Sequence, residues 1–297
     1  MRAASKEKWL EGHGLEHWTH FYTDYGRLLQ KRFFDYYLKG EDNGWGDQPP
    51  VLLQVRHPGE RFVERTEDEW PLARTEWTKF YLDATNGTMA AEPPAAASID
   101  YEPLTSEGIT FRTPPLEQET EITGPVAVRL AVSSATADAD LFLVLRVFDP
   151  SGGEVLFAGT IDPHTPVGQG WLRASHRKLD KKLSLPYRPF HAHDEKQPLT
   201  PGERYEVDVE VWPTCIVVPA GYRIALTVRG TDYDYGGEPI NVGWFVMKGA
   251  AAFIHDDPTD RPAEIFGGTV TLHTGGQDAP HLLLPVIPST RGPEPEA

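Results

Sequence analysis

Two imidazoles and a carboxylate stand together in His191-Ala192-His193-Asp194, a donor set that could hold a transition metal. Histidines at i and i+2 in a proline-flanked loop bring no second anchoring pair, so a solvated loop is expected and no metal site. Asp256, Asp257 and Asp260 offer the oxygens that calcium prefers, but the EF-hand pattern is absent and an acidic surface loop explains them as well. Gly152-Gly153 is not followed by Lys-Ser or Lys-Thr, so it should turn a hairpin and not cradle phosphate. Asp232-Tyr233-Asp234-Tyr235-Gly236-Gly237 mixes acids with aromatics, the texture of a binding loop and equally of a long surface loop. The lone cysteine, Cys215, excludes an internal disulfide framework or a multi-cysteine zinc site. Its setting, Trp212-Pro213-Thr214-Cys215-Ile216-Val217-Val218, suggests a small buried apolar residue.

The elements that must position these residues are mostly strands. Short β runs fall at 51–56, 78–82, 126–132, 141–148, 154–158, 205–211, 222–228, 268–273 and 281–286, separated by Gly and Pro turns. The 141–148 run is too continuously apolar to face water on either side and belongs in the middle of a sandwich. Asp149-Pro150-Ser151-Gly152-Gly153 should fold it back on 154–158 as a hairpin. Residues 205–211 alternate apolar with acidic, as a half-buried strand does. The first forty residues differ. A strand closing at 9–11 is broken by Gly12-His13-Gly14, apolar residues recur at helical spacing over 22–38, and Gly40 stops the helix. The pattern predicts a mainly β chain: a jelly-roll β-sandwich over 51–290, preceded by a strand–helix piece over 1–50 and followed by a tail, 291–297.

The 297 residues suffice for one large domain and part of another, and a 39% hydrophobic content can fill a core. A net charge of -16 repels phosphate backbones and anionic membranes, so neither nucleic acid nor membrane is an expected partner. The basic start lacks the apolar core of a signal peptide, and no apolar run is long enough to span a bilayer, which favours a soluble, cytoplasmic protein. No cofactor is expected, and a homo-oligomer is compatible with these numbers.

Several strings in order carry a resemblance. Lys8-Trp9-Leu10-Glu11-Gly12-His13-Gly14-Leu15-Glu16-His17-Trp18 leads to Gln30-Lys31-Arg32-Phe33-Phe34-Asp35-Tyr36-Tyr37-Leu38-Lys39-Gly40. Then come Ile122-Thr123-Gly124-Pro125, Asp138-Ala139-Asp140-Leu141, Gly170-Trp171-Leu172-Arg173-Ala174-Ser175, Pro219-Ala220-Gly221-Tyr222-Arg223 and His281-Leu282-Leu283-Leu284-Pro285. Together they resemble the C-terminal portion of the CocE/NonD hydrolases, relatives of the X-Pro dipeptidyl-peptidases: the last strand, histidine loop and final helix of an α/β-hydrolase domain, then a galactose-binding-like jelly roll.

The resemblance implies a serine–histidine–aspartate site that cleaves small ester or peptide substrates through an acyl-enzyme. It places the catalytic histidine at His17, with His13 as competitor and His20 third. A nucleophile on this fold needs the strained Gly-x-Ser-x-Gly elbow, and none of the nine serines has glycine two positions before it. Chain order in the fold is serine, acid, histidine, so the serine and aspartate are expected before Met1. The expected partner is therefore an N-terminal α/β-hydrolase portion, with residues 1–40 loosely held in its absence and their aromatic face (Tyr25, Phe33, Tyr36, Tyr37) exposed or packed opportunistically on the sandwich. A carbohydrate-binding module is the alternative. It would need Trp171, Trp212 or Trp244 exposed, and each sits in an apolar strand context that suggests burial. A subunit completing a separately encoded hydrolase half is another.

Overall fold

A computed structural model describes residues 4–14, 17–159, 162–241, 243, 246–250, 254–276 and 278–288. The expected tail and Trp244 lie outside this set, and of His17 only the backbone is described. The leading residues form β1 (Leu10–Gly12), α1 (His17–Tyr22) and α2 (Asp24–Lys39). The helix expected over 22–38 thus arrives as two pieces. Thr23 is extended between them, and its hydroxyl accepts the Gly26 N–H at 3.2 Å to cap α2. At the far end Gly40 takes φ 71°, and the N–H groups of Gly40 and Glu41 return to the Tyr36 and Asp35 carbonyls.

β2 (Val51–His57) pairs along one edge with β3 (Arg61–Glu67), an antiparallel hairpin. Its other edge is shared. Leu10 to Gly12 of β1 run parallel to Val51 to Leu53, while Arg56 bridges to Ile216 of a later strand. The leading segment is therefore not loose: β1 is hydrogen-bonded into the sheet, and Trp9 and Phe33 pack on buried Trp45 with ring centroids 5.3 and 5.1 Å away. The half-vacant edge of β2 is the reason, because unpaired backbone groups there would otherwise face an apolar cluster of Val51, Leu53, Val55 and Val217.

The sandwich follows with β4 (Glu76–Asp83), β5 (Thr88–Ala90), β6 (Ala97–Tyr101), β7 (Ile109–Arg112), β8 (Thr120–Ser134), β9 (Asp140–Phe148), β10 (Phe157–Gly159) and β11 (Asp162–Thr165). It continues with β12 (Gly168–Arg173), β13 (Tyr205–Val218), β14 (Arg223–Arg229), β15 (Ile240–Asn241), β16 (Val246–Met247), α3 (Ala263–Phe266), β17 (Val270–Thr274) and β18 (His281–Ile287). The order β13-β8-β18-β4-β5-β7-β14-β9-β12 curls until its last strand lies against its first. At that seam a β-carbon on Gly170 of β12 would stand 2.3 Å from the Glu210 carbonyl oxygen of β13, a contact only glycine permits. Inside, Phe111, Ile122, Leu143, Leu145, Ile216, Ile224 and Leu226 are sealed from solvent. Each such side chain stabilises the fold by about 1.5–3 kcal/mol.

The strand expected at 141–148 is β9, held between β14 and β12 and buried along nearly its whole length. That placement cuts short the expected hairpin. Phe148 and Glu154 form one bridge and the Asp149 N–H reaches the Gly153 carbonyl at 2.8 Å, but both edges of β9 are taken, so the chain leaves and Phe157 pairs with Thr165 of β11. Among the described residues no helix is long and apolar enough to cross a membrane.

Candidate functional site

β1 ends at Gly12, and the turn that follows carries the leading histidines. His13 turns its Nδ1 to the Gly14 carbonyl at 2.8 Å and stacks flat on His20 at 4.2 Å. His20 is buried, and its Nε2 lies 3.1 Å from the Glu11 carboxylate. Burial pushes the Tyr25 hydroxyl well above its ordinary range, and its hydrogen bond to Glu11 adds to the shift. An imidazole oriented by a carboxylate is two thirds of an acyl-transfer triad. Sequence reasoning ranked His20 last, and only its spacing from Glu11 across the turn could have raised it. His17 is the first residue of α1, just beyond that turn.

Beside this turn lies a cavity of about 460 Å³ between the leading segment and the sandwich. His13 and Gly14 line one side, Phe62 and Trp70 another, and Arg56, Gln169, Trp212 and Thr214 close it from the sandwich. Gly14 is required here, since a β-carbon on it would meet the Phe62 ring at 2.1 Å. No serine lines the cavity among the described residues. Cys215 does, but burial pushes its thiol up and its sulfur neighbours the Thr123 hydroxyl at 3.3 Å, so it is a poor nucleophile. One serine does meet an imidazole: Ser133 and His273 share a hydrogen bond of 2.9 Å across β8 and β17. Ser133 is the penultimate residue of β8, paired with Thr271 of β17, and it does not line the cavity beside the leading histidines.

The model of the X-Pro dipeptidyl-peptidase C-terminal non-catalytic domain matches residues 43–278. The chain belongs to this family. A CocE/NonD family hydrolase from Staphylococcus aureus superposes with a TM-score of 0.84 at 28% identity, over 96% of this chain and 50% of that one. Cocaine esterase from Rhodococcus sp. is 24% identical over 87% of this chain and 45% of its own length. An aminopeptidase from a marine sediment archaeon, Thaumarchaeota archaeon, shares the fold at TM-score 0.62 and 17% identity, over 91% of this chain and 45% of that one. The chain thus spans 35% to 50% of the lengths of the proteins it matches.

Within this X-Pro dipeptidyl-peptidase C-terminal domain, the strings that carried the resemblance are architectural. Asp140 receives Arg173 at 2.8 Å and Arg261 at 2.8 Å, while Asp138 accepts the Ser175 N–H at 2.9 Å. The backbone at Gly124, φ 146°, passes so close to Pro285 that a β-carbon would stand 2.9 Å away. The Gly221 N–H closes the turn on the Leu116 carbonyl at 2.8 Å.

The other residues singled out in the sequence divide. His193 meets His176 at 3.1 Å while Asp194 is held by Lys178, and burial lowers His191. Among the described residues no group of three metal donors stands close enough to hold an ion. Asp257 caps Thr259 at 2.8 Å and Asp260 pairs with Arg173 at 2.8 Å, so these acids are committed to protein partners. The 232–237 loop is likewise tied down: Asp232 to His255 at 2.9 Å, Tyr233 to Glu154 at 2.9 Å, Asp234 to Lys248 at 2.8 Å. Trp212 corrects the sequence reading. It was expected to be buried and is 64% exposed, because Pro213 cannot donate to the ladder and the bulge between Val211 and Thr214 swings it outward.

Proposed function

We propose that this chain is the non-catalytic C-terminal part of a serine hydrolase acting on ester or X-Pro amide bonds. In this reading residues 1–50 belong with an α/β-hydrolase portion that supplies the serine and aspartate, His17 completes the triad, and the 51–290 sandwich walls the substrate cleft. The observation that carries it is the outward face of α1 and α2. Phe21 and Phe34 are each 51% exposed and Leu38 is 77% exposed, an apolar surface that soluble monomers rarely leave uncovered. The family match and the share of its relatives' length that the chain spans point the same way. A carbohydrate module is not favoured, since Trp171 and Trp212 meet at 68° instead of lying coplanar for a sugar ring.

The test is turnover of p-nitrophenyl butyrate and Ala-Pro-p-nitroanilide by the pure chain, and by the chain combined with an α/β-hydrolase portion. The chain alone should give none above buffer. The combination should turn over one of them and lose at least about a thousandfold on His17→Ala. Hydrolysis by the chain alone, or a combination indifferent to His17→Ala, would refute the reading.

A further inference from the structure

Several arginines of this fold hold a carboxylate, while others, such as Arg177, Arg188 and Arg223, donate to backbone carbonyls. Arg65, Arg74, Arg129, Arg146, Arg173 and Arg261 each have a carboxylate at 2.5 to 2.9 Å. Arg56 does not. Its Nη2 donates to the Val167 carbonyl at 3.0 Å and the Thr214 hydroxyl at 2.5 Å, and its Nε to the Cys215 carbonyl at 3.5 Å. The guanidinium carbon sits over the Phe157 ring, 4.5 Å from its centroid. All of these partners are neutral, and Nη1 has none among the described residues. The carboxylate that acts on it electrostatically, Glu60, is engaged by the Ala158 N–H.

Arg56 is half-buried with no carboxylate bonded to it, and burial holds it below its ordinary value. It remains a cation at any pH the protein meets. Arg56 lines the cavity of about 460 Å³, within the roughly 300–1,000 Å³ usual for small-molecule sites. Much of the remaining wall is aromatic, from Phe62, Trp70, Phe157 and Trp212, with His13, Gln54, Gln169 and Thr214 adding neutral polar groups. One fixed positive group in an aromatic box selects a ligand with one negative group on a flat apolar body.

We propose that this cavity binds a small aromatic carboxylic acid, its carboxylate on Nη1 of Arg56 and its ring between Phe62, Trp70 and Trp212. The site is built wholly from this chain, so it stands whether or not the hydrolase reading holds. The probes are benzoate, its neutral isostere benzamide, and inorganic phosphate, titrated into the full chain by calorimetry. Benzoate should bind at millimolar concentrations or below, with benzamide and phosphate each at least about tenfold weaker. Arg56→Met should abolish benzoate binding and Arg56→Lys should restore part of it. Trp212→Ala, at an exposed position that leaves the core intact, should weaken benzoate several-fold even if Arg56→Met does not fold. Benzamide equal to benzoate, phosphate equal to benzoate, or benzoate unaffected by Trp212→Ala and by a folded Arg56→Met would each overturn the site, as would no benzoate binding up to millimolar concentrations.

Discussion

The sandwich and the leading segment solve the same problem to different degrees. In the sandwich, strands alternate so that Leu143, Leu145, Ile224 and Leu226 point inward and are sealed, and the buried acid Asp140 is clasped by two arginines. The leading segment is joined to it by three backbone pairs and an aromatic cluster around Trp45, yet turns Tyr22, Phe34 and Leu38 to water. The lesson is that hydrogen-bonded continuity does not make a segment self-sufficient. One region has finished burying its apolar surface; the other has been fastened without being finished.

The contrast can be broken most severely from inside the sandwich. Leu226→Ala should cost about 2–5 kcal/mol in a urea melt, because the closed seam leaves little room for collapse around the void. Asp140→Ala, which strands the Arg173 and Arg261 guanidiniums, should cost about 3 kcal/mol and be visible in the same melt. Acid sharpens the comparison. Burial lowers His57, His191, His273 and His281, all in β2 or the sandwich. Their contribution is complete above the unfolded value of about 6.5 and is lost as pH falls through the lower folded values, since the unfolded chain then binds more protons. Melting temperature should therefore decline below about pH 6.5, and His281→Gln should flatten that decline. The smallest effect belongs to the leading segment. Leu38→Ser should leave stability within about 0.5 kcal/mol while reducing retention of an added α/β-hydrolase portion on a pull-down column.

What could be read in advance follows the same division. Strands with a strong apolar signature, such as β9 and β13, announce themselves, because burial on one or both faces imposes the pattern. β3 carries no such mark: Arg61-Phe62-Val63-Glu64-Arg65-Thr66-Glu67 is exposed over much of its length and exists because β2 offers it an edge. The break at Thr23 was hidden for a related reason, since helical spacing continues across it while a single hydroxyl cap decides the geometry. Trp212 and Arg56 were opaque because their roles depend on a bulge and on partners more than a hundred residues away. The stacking of His13 on His20 likewise needs the turn to be folded before it exists.

Gly170 has one more implication. With a bare α-carbon pressed against the main chain of β13, the two ends of the curled sheet meet without any side chain to act as a spacer or a spring. The seam can scarcely part there by degrees, so it should open all at once or not at all. Even an added methyl would act as a wedge driven into the joint.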